Sequence, residues 1–282
     1  MKVVSFRFQG RFHSGVMESD RLVPLLDLKS GEPMSLHDAI EGGLSVANIA
    51  AFADERRSMP LNEIDILPPI VQPRKILCVG TNYESHRAES SREKTTKPPI
   101  FMRTAESLVA DGAPLLCPHE STMFDFEGEI AIVMRRSARR VPKEWALDCV
   151  FGYSCFNDAS VRDWQRHTHQ WTPGKNFDAT GGFGPYLVTQ DEAGPPEDLH
   201  LTTRLNGQIV QNAFGREMIF SIAEIIEYVS TFTTLRTGDV IATGTPGGVG
   251  ALRDPSLFMK PGDRVEVEIP RVGLLSNPIM AG

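Results

Sequence analysis

Residues 125–129 read DFEGE and run without a break into IAIVM. If this segment is a strand, the spacing of two places Asp125, Glu127 and Glu129 on one face, at the mouth of an apolar and therefore buried run. Like charges that close repel, and burying them without a partner is costly. A fold containing this strand must either leave its polar end in water or bring positive charge to it. A third acid bears on that choice. GYSCFNDAS (152–160) is another largely apolar strand, and it ends in Asn157–Asp158. An aspartate in that place can serve as a turn former or helix cap. Three carboxylates converging from two strand ends would instead make a hard-oxygen site for Mg²⁺, Mn²⁺ or, in their place, Ca²⁺. Zinc fits less well, because no cysteine or histidine stands at ligand spacing beside these acids.

The rest of the pattern is strand-dominated. KVVSFRF (2–8) and RLVPLLDL (21–28) read as strands joined by a turn-rich segment, and 36–56 carries helical signals interrupted by Gly42–Gly43. The three prolines of LPPIVQPRK (67–75) place a boundary near residue 70, dividing a small N-terminal module (1–70) from a main domain (71–282). KILCVG (75–80) is a short buried strand, whereas 84–97 is polar with no apolar face and reads as a mobile loop or a short exposed helix. Strands are expected over 99–103, 127–134 and 149–156. In TTRLNGQIVQ (202–211), Asn206–Gly207 between alternating arms is the signature of a type I′ hairpin. SIAEIIEYVST (221–231) is an amphipathic helix with Ser221 at its N-cap. TGDVIATGT and GDRVEVEIP are strands entered through Gly-Asp turns. With few helices and no regular β-α alternation, the fold class is strand-rich α+β rather than a doubly wound parallel sheet.

Composition narrows the function classes. A net charge of −7 argues against nucleic acid or an anionic membrane as partner. No apolar run approaches the ~18 residues of a membrane span, and MKVVSFRFQGRFHSG has no apolar signal region. Cys78, Cys117, Cys149 and Cys155 form no C-x-x-C pair, which fits reduced thiols in the cytoplasm. His167 and His169 lie in a loop-like RHTHQWTPG, a poor setting for a metal. GTPGGVG (244–250) fails the Walker A and G-x-G-x-x-G patterns, so it reads as a tight turn whose backbone amides and Thr245 hydroxyl meet a ligand.

Taken in order, KILCVGTNYESH, DFEGEIAIV, GYSCFNDASVRDWQ, GKNFDATGGFGP, NGQIVQ and GDVIATGTPGGVG resemble the fumarylacetoacetate hydrolase superfamily, and in particular its bacterial acylpyruvate hydrolase and 2-hydroxyhepta-2,4-diene-1,7-dioate isomerase-like members. The resemblance covers residues 68–270. It implies a layered mixed β-roll with few short helices, a homodimer, and a small-molecule oxo-acid substrate. It implies Glu127, Glu129 and Asp158 as ligands of Mg²⁺ or Mn²⁺, with Asp125 outside the ligand set. It implies that His86 and Glu89 act on water from a mobile lid and that Lys175 reaches into the site to stabilise an enolate. Gln165 and Thr245 would hydrogen-bond the substrate, Tyr83 and Arg103 would also lie at it, and Tyr83 and Arg162 would help shape the site. The chain departs from the family at FMRT (101–104), where many members have F-x-K-P, so a planar guanidinium stands in place of an ammonium. The reaction expected on this basis is hydrolysis of a C–C bond in a β-diketo acid or acylpyruvate by water activated at His86–Glu89. Decarboxylation, isomerisation or hydration of a related oxo acid are the alternatives, and a non-catalytic metal-bound scaffold is the non-enzyme reading.

Overall fold

A computed structural model describes residues 1–18, 21–53 and 58–282. Among these residues, twelve strands form one mixed sheet. Its centre is Gly128–Met134, buried along its whole length and paired antiparallel with Val150–Asn157 on one side and Val240–Ala242 on the other. Beyond Val240–Ala242 the sheet continues through Ile76–Val79 to Ile100–Arg103. Beyond Val150–Asn157 it continues through Gly181–Thr189 to Lys2–Phe8, Arg11–Glu18, Arg21–Pro24 and Met59–Pro60. A second sheet of five strands contains the hairpin His200–Leu205/Gln208–Phe214, followed by Arg264–Ile269, Gly273–Ala281 and Leu115–Cys117. The architecture is therefore the strand-rich, layered one expected. Among the described residues no helix is long and apolar enough to cross a membrane.

The alternation of the central strand divides the core. Ile130, Ile132 and Met134 pack with Ile222, Ile225, Ile226 and Val229 of the helix Ile222–Phe232. Ala131 and Val133, on the same face as Glu129, pack with Ile76, Cys78 and Phe156 and with Val3, Val16 and Leu25 of the N-terminal segment. Lys2 and Val3 pair with Val188 and Leu187, so the main sheet runs through the boundary expected near residue 70. The 1–70 segment extends this sheet and shares its core.

Local signals locate several elements well. Asn206 and Gly207 have φ of 51° and 79°, as a type I′ turn requires. Ser221 caps its helix in a reciprocal box with Glu224. Two strands depart from expectation. Arg11–Glu18 falls in the stretch read as turn-rich because the residues it buries, His13, Ser14, Gly15 and Val16, include one large apolar side chain and no apolar alternation. Gly181–Thr189, GGFGPYLVT, has the composition of a turn but is paired along both edges. The helical stretch expected over 36–56 is realised as Leu36–Glu41 and Ile49–Phe52, and residues 54–56 lie outside the described residues.

One buried amide ties the segment before His86 to this frame. Asn82 donates from Nδ2 to the carbonyls of Thr243 (2.7 Å) and Phe220 (3.0 Å), and its Oδ1 accepts from the Phe220 N–H (2.8 Å). Gly244, at φ +104°, lies against it, and a Cβ there would come within 2.5 Å of the Asn82 Cβ. Asn82→Leu should lower the unfolding free energy by about 2–4 kcal/mol, because it leaves buried backbone groups without partners. Urea unfolding measures this, and a loss below about 0.5 kcal/mol would show that the clamp is dispensable.

Candidate metal centre and active site

The pairing of the central strand brings the acids together. Gly128 lies opposite Asn157, so Glu127 and Asp158 sit side by side just beyond the ladder, and the Asp158 N–H donates to the Glu127 carbonyl at 2.8 Å. Asn157 Oδ1 accepts from the Glu127 N–H at 3.0 Å. Glu129, two residues further along the same face, completes the group. Carboxylate oxygens of Glu127, Glu129 and Asp158 all lie within 4.8 Å of one another, and all three residues are buried. Among the described residues, the other group with this geometry is His37, Asp38 and Glu41, at the surface of one short helix.

Cations of the protein itself offset part of this charge. Lys175 Nζ donates to Glu127 Oε2 at 2.8 Å, to Asp158 Oδ2 at 2.5 Å and to the Asp158 carbonyl at 3.0 Å. Arg162 Nη1 meets Glu127 Oε1 at 2.6 Å, and Arg103 Nη1 donates to Asp158 Oδ1 at 2.7 Å. Burial alone would raise the Glu127 carboxyl, but Lys175, then Arg162 and His86, outweigh it and bring it down to about 2. Burial disfavours the Lys175 ammonium too, and Asp158 and Glu127 more than restore it, so its pKa rises and the group stays charged. Among the described residues Glu129 has no cation within ion-pair distance, and its Oε2 accepts from the Gly244 N–H at 2.8 Å. Burial first, then Asp158 and Glu127, push its carboxyl well above the ordinary range. Three oxygen donors with one carboxylate short of positive charge are compatible with a hard divalent cation such as Mg²⁺ or Mn²⁺.

His86 lines the same cavity as Glu127, Glu129 and Lys175. It lies on the helix Glu84–Glu89, where its Nδ1 meets Glu89 Oε1 at 2.7 Å. The polar segment is thus a helix with its histidine turned inward. The glycine-rich turn holds it there: the Gly247 N–H donates to Ser85 Oγ (3.0 Å) and the Gly248 N–H to Glu89 Oε2 (2.8 Å). Gly250 and Ala251 N–H groups donate to Asp125 at 2.7 and 2.9 Å. The sequence suggested that these amides face a ligand. They bind side chains of the protein instead, because the nearby carboxylates and Ser85 are within reach of a backbone that glycine lets approach closely.

The remaining expected site residues divide into two sets. Gln165 and Thr245 line the cavity. Gln165 Oε1 accepts from Arg162 Nη1 at 3.1 Å. The Thr245 hydroxyl donates to the Gly128 carbonyl (3.0 Å) and accepts from Gln211 Nε2 (2.8 Å), so its proton is engaged within the protein. Tyr83 and Arg103 lie behind the cavity wall. Burial, then Glu129, raise the Tyr83 hydroxyl, which has no partner among the described residues. Arg103, expected at the substrate, is turned the other way: its fork binds Asp158, the Ala159 carbonyl (2.9 Å), Ser107 Oγ (3.0 Å) and Thr180 Oγ1 (3.1 Å). Five donors in one plane can serve these acceptors together, which an ammonium cannot. Asp125 lies outside the three-carboxylate group and accepts from Arg162 Nε at 2.8 Å. His167 and His169 are exposed.

Sequence reading missed two aromatic walls and a cation. The Phe101 ring lies 5.1 Å from Lys175 Nζ and 5.2 Å from the Trp171 ring, and the Arg92 guanidinium lies 4.8 Å from Trp171. All three line the cavity. Phe101 stands in the FMRT block that flagged a departure. Nothing local marks Trp171 or Arg92.

A model of the family described as "Fumarylacetoacetate (FAA) hydrolase C-terminal" matches residues 75–280. A mitochondrial oxaloacetate tautomerase of Xenopus laevis is 37% identical over 263 residues, 91% of this chain and 82% of the relative. Two solved structures are superposable over all of this chain. A fumarylacetoacetate hydrolase from Exiguobacterium antarcticum is 34% identical with a TM-score of 0.86 and is covered completely. A 2-hydroxyhepta-2,4-diene-1,7-dioate isomerase from Mycobacterium marinum is 30% identical with a TM-score of 0.80, with 98% of that chain covered.

Arg103→Lys should weaken divalent-metal affinity by about 10-fold or more, since Asp158 loses the group that orients it. The same variant should cost about 1–3 kcal/mol of stability through stranded buried acceptors. Calorimetric titration with Mn²⁺ and thermal unfolding test both, and wild-type values in each would refute the positioning role.

Proposed function

The chain belongs to the fumarylacetoacetate hydrolase family, and from that premise we propose that it is a divalent-metal-dependent tautomerase of a 2-oxo acid of the oxaloacetate type. The observation that carries this reading is the His86–Glu89 pair, set in one cavity with Lys175 and the three carboxylates. Keto–enol conversion requires one proton carrier, one charge on the enolate oxygen and no attacking water. The relatives named as oxaloacetate tautomerases support the same choice.

Glu89 Oε1 accepts the Nδ1 proton of His86 and thereby leaves the Nε2 lone pair as the base. Nε2 takes a proton from the carbon next to the oxo group and returns it to the resulting enolate oxygen, or the reverse, so no water is consumed. The Lys175 ammonium, kept charged by Asp158 and Glu127 and with its three N–H groups donated to them, acts on the negative oxygen through its charge between the two transfers. The Gln165 side chain, on the cavity wall, orients the substrate carboxylate. Phe101 and Trp171 cover the site and limit water access. A divalent ion held by Glu127, Glu129 and Asp158 would add positive charge at the oxo group and lower the cost of forming the enolate.

A second reading is supported by the same dyad and by the likeness to the Exiguobacterium hydrolase. His86 Nε2 could take its proton from water instead of carbon, and attack of that water on an acylpyruvate would break a C–C bond. Product analysis separates the two. With Mg²⁺ present, tautomerisation predicts accelerated ketonisation of enol-oxaloacetate and accelerated solvent-deuterium exchange at its methylene carbon, with intact acylpyruvates recovered. Pyruvate plus a free acid from an acylpyruvate, without accelerated ketonisation, would establish the hydrolase instead. On either reaction His86→Ala should lower kcat by about 10²–10⁴-fold and leave Mn²⁺ affinity unchanged. Near-full turnover in that variant would remove His86 from the mechanism.

A further inference from the structure

The Gly128 peptide joins Glu127 to Glu129, two of the three carboxylates that would hold a metal, and it is buried. On one side of this strand the neighbour ends at Ala242, which pairs with Ala131, so no strand lies beside Gly128 there. A buried N–H or C=O left without a partner costs about 1–3 kcal/mol. Two side chains serve in place of the missing strand. Gln211 Oε1 accepts from the Gly128 N–H at 2.9 Å, and the Thr245 hydroxyl donates to the Gly128 carbonyl at 3.0 Å. Gln211 Nε2 in turn donates to Thr245 Oγ1 at 2.8 Å and to the Pro246 carbonyl at 2.9 Å. Gly128, Gln211 and Thr245 thus close a ring of three hydrogen bonds, and all three residues are buried.

The backbone dictates the direction of the ring. A peptide N–H can only donate and a proline carbonyl can only accept, so a single orientation of the Gln211 carboxamide satisfies Gly128 and Pro246 together. That orientation presents Nε2 to Thr245 and sends the Thr245 proton to Gly128. Bonds that run one way around a buried ring polarise and strengthen one another. The same peptide is confined from two further directions. A Cβ at Gly128 would stand 2.0 Å from Thr203 Oγ1, so the second sheet packs directly against it, and Asn157 Oδ1 accepts from the Glu127 N–H at 3.0 Å on the opposite edge. We propose that Gln211 is a positioning residue of the metal centre, which through this ring fixes the spacing of the Glu127 and Glu129 carboxylates and the Thr245 hydroxyl on the cavity wall. Its bonds go to Gly128, Thr245 and Pro246, so it acts through the backbone that carries the ligands. The assignment rests on the metal-centre reading above.

Mn²⁺ binding tests it without turnover. Wild type, Gln211→Met, Thr245→Val, Thr245→Ser and the Gln211→Met/Thr245→Val double variant are titrated by calorimetry, and electron paramagnetic resonance spectra are recorded at saturating Mn²⁺. Gln211→Met should weaken Mn²⁺ affinity about tenfold or more, the range for groups that orient metal ligands, and should alter the zero-field splitting of the bound ion. Thr245→Val should act in the same direction. The double variant should lose no more than the larger single loss, because both substitutions open one ring. Thr245→Ser keeps the hydroxyl and should match wild type in affinity and spectrum. A folded Gln211→Met protein with wild-type affinity and spectrum would overturn the positioning role and leave the metal centre standing, as would losses that add in the double variant. If Gln211→Met does not fold, the Thr245 variants decide: weakening by valine with recovery by serine supports the ring, and wild-type affinity in Thr245→Val overturns it. If wild type itself binds no Mn²⁺, the metal-centre reading fails and takes the role of Gln211 with it.

Discussion

The structure depends on how four buried carboxylates are held within one small volume. Asp125, Glu127, Glu129 and Asp158 face three buried cations, Arg103, Arg162 and Lys175, which leaves one negative charge over. Removing ions from water costs several kcal/mol each, and the pairs repay that only with close geometry and further hydrogen bonds. Here the geometry is close, and every carboxylate oxygen of Glu127 and Asp158 has a cation. The uncompensated charge falls on Glu129, which accepts one backbone N–H, from Gly244. A divalent cation among the three acids would turn the balance from one negative to one positive, which suits an anionic oxo acid.

The glycine-rich turn is what makes the separate parts one site. Its amides reach Glu129 in the carboxylate group, Ser85 and Glu89 on the His86 helix, and Asp125 beside Arg162. Side chains at these positions would hold the backbone away from its acceptors, and only a chain with little steric bulk can come so close. Asn82 performs the matching task from the other direction, joining the start of the His86 segment to Thr243 and Phe220. His86 is therefore placed by polar contacts, and its helix needs no apolar face.

Arg103 shows how a local departure from the family pattern can be absorbed. Its side chain passes beneath Gly181, where a Cβ would meet its guanidinium at 2.7 Å, and its fork engages four acceptors around Asp158. The Arg103 guanidinium thus supports Asp158 from outside the cavity lining.

The sequence by itself determined the strand-rich class, the Asn206–Gly207 hairpin, the Ser221 cap and the alignment of Glu127 with Glu129, because period-two alternation, turn chemistry and capping are local properties. It could also mark Asp158 as a third acid at a strand end. The tertiary structure decided everything that depends on which strands become neighbours. The Gly128–Asn157 register put Asp158 beside Glu127, and the buried small residues of Arg11–Glu18 and Gly181–Thr189 drew the N-terminal segment into the main sheet. The directions of Arg103 and of the Thr245 proton, and the meeting of Arg92 with Trp171, were likewise settled by long-range packing. Side-chain direction in a buried site follows from the acceptors that surround it, and those come from residues distant in the chain.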